Sequence, residues 1–250
     1  MSENWTREET IQAFNLYCKI PFGRIDHHNP EIIALAHRLQ RTPSSVSYKL
    51  ANLARLDPSL KRRNITGATH GSKMDVEVWN EFSLDWDKLA YESELLLTQP
   101  NNEITDELID LPEGKTRETL VKARINQQFF RSAVLAAYEN QCCITGLPLP
   151  ELLVASHIVP WKIDVKNRTN PRNGLCLNAL HDKAFDLGFL TITSKLTVLL
   201  SAELEKRSTL PGVREFFLNY KDAPLRIPSR FVPDPSFLEY HNDMVFRRTL

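Results

Sequence analysis

Apolar and polar positions alternate at helical spacing through most of the first half of the chain. Thr6-Arg7-Glu8-Glu9 has the form of a capping box, in which the Thr hydroxyl and Glu carboxylate satisfy helix-start amides reciprocally. Ile11, Phe14, Leu16 and Tyr17 follow at the spacing of one buried helix face. Asn29-Pro30 opens a second helix, because Pro lacks only an amide that the first turn leaves unused, and Ile32, Ile33, Leu35, Ala36 and Leu39 supply its apolar stripe. Thr42-Pro43 restarts the chain, with Val46, Leu50 and Leu53 apolar. Trp79, Phe82, Trp86 and Leu89, spaced at three to four, predict one core-facing helical stripe. Thr116 to Asn140 predicts a long helix with Leu120, Ile125, Phe129, Val134, Leu135 and Tyr138 on its apolar side. After it the period changes. Leu152–Ile158 is mainly apolar and predicts a strand ending at His157, and the polar, proline-bounded stretch Pro160–Arg172 predicts a loop. Gly174–Leu177 predicts a short strand, and Asn178–Asp186 a short helix stopped by Gly188. The class is therefore α+β, a mainly helical N-terminal part followed by a strand-loop-strand-helix unit.

Charge distribution divides the chain further. The 31 basic and 31 acidic residues cancel, so a nucleic-acid partner must be argued from local clusters. Arg38, Arg41, Lys49, Arg55, Lys61, Arg62 and Arg63 make the N-terminal part locally basic, whereas Glu103, Asp106, Glu107, Asp110 and Glu113 form an acidic run between turn signals. Residues 92–118 are expected to link a helical domain, 1–91, to a second domain, 119–250; a surface loop within one domain is the alternative. No apolar run approaches the roughly 20 residues of a membrane span, and the N-terminus has no signal-peptide core, so a cytoplasmic location is expected. Four cysteines are too few for a disulfide framework, and the adjacent Cys142 and Cys143 are no C-x-x-C pair, so no structural zinc is expected.

The segment from Leu35 to Leu50 has helix-turn-helix spacing, with a small residue, Ala36, where two helices would cross. In such a motif the second helix projects short polar side chains into a DNA major groove. Here these would be Ser44, Ser45, Ser47 and Tyr48, with Lys49 and Arg55 near phosphates. A plain packing or oligomerisation module, and with it a homodimer, is the alternative. The long helix is expected to expose Lys115, Arg117, Lys122, Arg124 and Arg131, either as a solvated face or as phosphate contacts.

The second half carries the chemistry. Cys143-Ile144-Thr145-Gly146 is followed by Ser156-His157-Ile158-Val159-Pro160-Trp161, Asn173-Gly174-Leu175, His181-Asp182 and Phe185-Asp186-Leu187-Gly188. These words, in this order, resemble the HNH nuclease family and its ββα-metal finger, and in particular a restriction-type branch. Phe130-Arg131 and Tyr138 before them, and Phe237-Leu238-Glu239-Tyr240-His241 near the C-terminus, extend the likeness over about 119–250. The resemblance implies a metal-dependent DNA endonuclease with His157 as general base. An imidazole with a pKa near 6.5 can take a proton from water at neutral pH, which a carboxylate does less well. Asn173 would orient that imidazole or pin the loop to the finger, and Arg131, Arg168 and Arg172 would contact backbone phosphates. Cleavage of RNA or structured DNA, and a non-catalytic DNA-binding regulator, are the competing readings.

By the same resemblance a divalent cation, Mg²⁺ or Mn²⁺, would bind a phosphate oxygen and the leaving group. The chain departs from the family pattern at the ligands. Where an Asp or His often precedes the base, this chain has Ser156. The third position is His181 by identity and Asp182 by its nine-residue distance from Asn173. Asp182 and Asp186 share one helical face, whereas His181 lies about 100° around the helix. Hard cations prefer carboxylate oxygen, which favours Asp182, with Asp186 as a second ligand or a helix-end structural group.

Overall fold

The computed structural model describes residues 4–62, 71–97 and 117–248. They fall into two compact units, Met1–Ala133 and Val134–Leu250. The division lies inside a helix and not in the acidic stretch 92–118. Of that stretch, 92–97 and 117–118 are helical, and 98–116 lie outside the described residues, as do Arg63 and Lys115.

The first unit is built from α1 (Arg7–Lys19), α2 (Pro30–Arg38), α3 (Pro43–Ala54), α4 (Pro58–Arg62), α5 (Lys73–Phe82), α6 (Trp86–Leu97) and the first four turns of α7 (Arg117–Ala137). Local signals set the helix starts. Thr6 caps α1 and Glu9 closes the box, Asn29 caps α2 ahead of Pro30, and Thr42 caps α3 ahead of Pro43. The aromatic stripe is broken into two helices at Ser83–Asp85, and Trp79, Phe82, Trp86 and Leu89 are all buried. Phe14 of α1 stacks on Trp79 at 4.8 Å and approaches Trp86 at 6.0 Å, so the three helices share one aromatic core.

In the second unit the end of α7 leads through Cys142 and Cys143 into β1 (Leu153–His157), which pairs antiparallel with β2 (Gly174–Asn178). His157 sits opposite Gly174 in this register. Asn178 ends β2 and caps α8 (Ala179–Asp186), accepting from the His181 amide. Then come a hairpin, β3 (Leu190–Ile192) and β4 (Val198–Leu200), and the helices α9 (Ala202–Lys206), α10 (Pro211–Phe216) and α11 (Pro235–Met244). Gly188 stops α8 at φ +73, and a Cβ there would collide with the Val245 carbonyl oxygen at the end of α11.

His241 of α11 ties that closing segment to α8. Its ring stacks on Phe185 at 3.6 Å; Nε2–H donates to the Phe185 carbonyl, and Nδ1 accepts from the Thr191 hydroxyl. Burial pushes the imidazole down to about 4. The unfolded chain therefore takes up a proton near pH 6.5 that the folded chain refuses until about pH 4. The stabilisation is full above pH 6.5 and lost as pH falls to 4, a total of about 3 kcal/mol. Urea midpoints should show this slope for the parent, and His241→Phe should remove about one proton's worth of it. Parallel slopes would assign the acid sensitivity to other groups.

Candidate active site

The ββα unit brings together three of the side chains singled out in the sequence. His157 stands at the end of β1, where its Nε2–H donates to the Arg168 carbonyl at 2.8 Å. That bond fixes the tautomer, leaving the imidazole lone pair on Nδ1. Trp161 stands edge-on to the ring at 5.5 Å. Burial holds the imidazole below its usual pKa, opposed by the Arg168 carbonyl and by the nearby Asp182 carboxylate. His157 is neutral at pH 7 on both counts of chemistry and environment.

Asn173 is fully buried and makes no hydrogen bond to the imidazole. Its Oδ1 accepts from the Val159 amide at 2.8 Å, and its Nδ2 donates to the carbonyls of Val159 (3.1 Å) and Asn167 (3.3 Å). An amide that donates and accepts at once thus closes both ends of the 159–167 loop onto β2. Arg168, the residue that positions His157, is the next in the chain. Asn173 thus pins the loop whose continuation carries the carbonyl bonded to His157.

Asp182 and Asp186 lie one turn apart on α8. Burial raises both carboxyl pKa values, and Asp182 raises that of Asp186 further, while Lys183 opposes. Ser156 stands before the base, its Oγ buried and without a hydrogen bond of normal geometry, yet near enough to Asp182 to lower that group's pKa. A half-buried and an exposed carboxylate with a spare hydroxyl beside His157 are hard oxygen donors, and they suit a cation that takes one or two carboxylates plus phosphate and water. Among the described residues no group of three His, Cys, Asp or Glu is placed to hold a metal ion without such help.

His181 is turned away from this cluster. Its ring is buried, with Nε2–H donating to the Phe216 carbonyl at 2.7 Å and Nδ1 accepting from the Asn178 amide at 3.1 Å. Phe217 and Tyr220 meet its faces edge-on. Next to it lies Cys142, whose thiol burial would raise but which the adjacent His181 ring and the Thr145 amide and hydroxyl draw down to about 7. The position that matches the family's third letter by identity is thus bonded into the packing, and the neighbouring Asp182 lies near His157.

The basic side chains divide less favourably. The Arg168 guanidinium lies over Trp161 at 5.1 Å, beside the base. Arg172 pairs with Asp234 (3.1 Å) and donates to the Val232 carbonyl. Arg131 is exposed on the part of α7 that belongs to the first unit. On α3, Ser44 and Tyr48 are exposed and Ser45 and Ser47 half-buried. Lys49, expected near phosphate, is instead buried in an ion pair with Asp75 of α5. Arg55 is half-buried near Gly71, and its Nε and Nη2 make no hydrogen bond among the described residues. The sequence left unmarked the Arg168 carbonyl that meets His157, and the exposed Lys162 and Lys166 flanking Ile163 and Val165 in the loop that follows it. Only the basic spacing of the loop could have signalled the latter.

Residues 142–193 match the family model described as HNH endonuclease, and this segment is an HNH endonuclease domain. No curated protein matches significantly. Among solved structures, the modification-dependent TagI restriction endonuclease is similar, at 22% identity and a TM-score of 0.34. That match covers 48% of this chain and 38% of the other, so the chain spans well under half of that protein's length.

Proposed function

We propose that the chain is a metal-dependent DNA endonuclease of restriction or defence type, in which the second unit hydrolyses phosphodiester bonds and the first selects the target. The observation that carries the reading is the pairing of a neutral His157, its tautomer fixed by the Arg168 carbonyl, with Asp182 on the facing helix.

Hydrolysis needs an activated water, charge neutralisation and departure of the 3′-oxygen. His157 takes the proton of the attacking water on Nδ1; Nε2–H stays on the Arg168 carbonyl and spreads the developing charge. Asn173 keeps the loop closed so that this carbonyl stays in place. Asp182, with Asp186 and the Ser156 hydroxyl, would hold a divalent cation, Mg²⁺ or Mn²⁺. Once bound, that cation would supply Lewis-acid charge stabilisation for phosphate and leaving group. Arg168, Lys162 and Lys166 line the approach as phosphate contacts, which hold DNA without reading its sequence. Target choice therefore falls to the first unit.

The test is incubation of the purified chain with modified and unmodified genomic DNA, with Mg²⁺, Mn²⁺ or EDTA. Fragments with 5′-phosphate and 3′-hydroxyl ends should appear only with metal. Intact DNA under all conditions, with RNA degraded, would move the substrate class.

A further inference from the structure

The first unit contains a cleft of about 530 Å³ between α3, the start of α5 and the segment before α1. Trp5, Ser45, Tyr48, Lys49, Asn52 and Asp75 line it. Three of these are the α3 side chains that the sequence assigns to a DNA surface. They form the wall of a hollow, which a duplex cannot enter edge-on as it would receive a projecting helix.

The charges of the cleft are already matched. Lys49 pairs with Asp75, Arg41 with Glu9 at 2.8 Å, and Lys73 at the rim with Glu77 at 3.3 Å. Phosphate would have to compete with these carboxylates. What the cleft offers instead is aromatic surface and amide chemistry. Tyr48 is 55% exposed at the mouth, and the Trp5 ring, with Arg41 at 4.5 Å and Lys49 at 4.8 Å, forms part of the lining. Asn52 is only 8% exposed, and its Oδ1 is buried with no hydrogen-bond partner among the described residues. A buried acceptor left unpaired is unfavourable, and a ligand N–H would relieve it. The volume lies in the range of small-molecule sites and admits one nucleotide.

We infer that this cleft receives a single nucleobase swung out of the DNA duplex, stacked against Tyr48 and read on its hydrogen-bonding edge by Asn52 and Ser45. The inference rests on the nuclease reading and names how the first unit would select its target. An uncharged planar ring with an exocyclic amino group fits each part of the lining: π-face on tyrosine, amino N–H to the orphaned amide oxygen, no charge to be met.

Swinging a base out costs a few kcal/mol, and less where the base is mispaired. The full chain carrying His157→Ala should therefore bind a duplex with one central mismatch about ten-fold more tightly than the same sequence fully paired, a difference of about 1.4 kcal/mol. Fluorescence anisotropy in EDTA reads the ratio. Tyr48→Ala, which removes the stacking ring from an exposed position, and Ser45→Trp, which fills the cleft, should each bring the ratio to about one. Thermal unfolding of each variant checks the fold, and the exposed Tyr48 position serves if Ser45→Trp is destabilised. A ratio near one in the parent, or one unchanged by Tyr48→Ala, overturns the cleft while leaving metal-dependent cleavage by the unmutated chain intact. Absence of that cleavage overturns the nuclease reading itself.

Discussion

Asp182→Ala should raise the Mg²⁺ concentration for half-maximal DNA cleavage by at least the roughly 10–100-fold that loss of an outer-shell partner costs a metal site. His181→Ala should leave that concentration near the parent's. The adjacent residues separate because α8 turns them about 100° apart, and each face meets a different partner. Asp182 looks toward His157 and Ser156, in half-exposed surroundings that burial makes unfavourable for an uncompensated carboxylate. A bound cation would relieve that penalty. His181 looks into the packing beneath α10, with both ring nitrogens bonded and two aromatic rings against it. Its removal should appear in stability, lowering unfolding free energy by about 2–4 kcal/mol through two lost hydrogen bonds and a cavity. Metal titrations and urea melts on the two variants resolve the contrast. The reverse ranking in the metal titration would show that residue identity, not helical phase, sets the ligand.

What the sequence revealed follows from how local each signal is. Thr6 with Glu9, Asn29 with Pro30, Thr42 with Pro43 and Asn178 before α8 are caps whose partners lie within three residues, and each helix begins where its cap predicts. The two strands of the finger were readable because apolar runs end at His157 and begin at Gly174. The strands β3 and β4 have three residues each, too few for a period to show. The break between α5 and α6 is invisible for a related reason: Ser83–Asp85 advances the helical phase so that the aromatic stripe continues across it. Contacts at long sequence separation defeated the side-chain assignments. Lys49 reads as a surface cation until Asp75, in another helix, buries it. Arg172, expected at phosphate, also meets Asp234, a partner no local pattern announces. Asn173 admitted two roles in the sequence, and three hydrogen bonds to the Val159–Asn167 loop select the pinning one. His157 and Asp182 come into one neighbourhood because the finger is short and its register is set by a single strand pair.

The central claim is that His157 acts as the base in the second unit. Single-turnover cleavage of DNA at saturating protein and Mg²⁺, comparing the parent with His157→Ala, tests it most directly. The variant should lose about 10²–10⁴-fold in rate, the range of general-base contributions, because proton transfer is made only in the transition state. Its affinity for the same DNA should stay within about two-fold, since the imidazole is half-buried on the Arg168 carbonyl and offers the bound duplex little. A cleavage rate within about three-fold of the parent at equal occupancy would contradict the account.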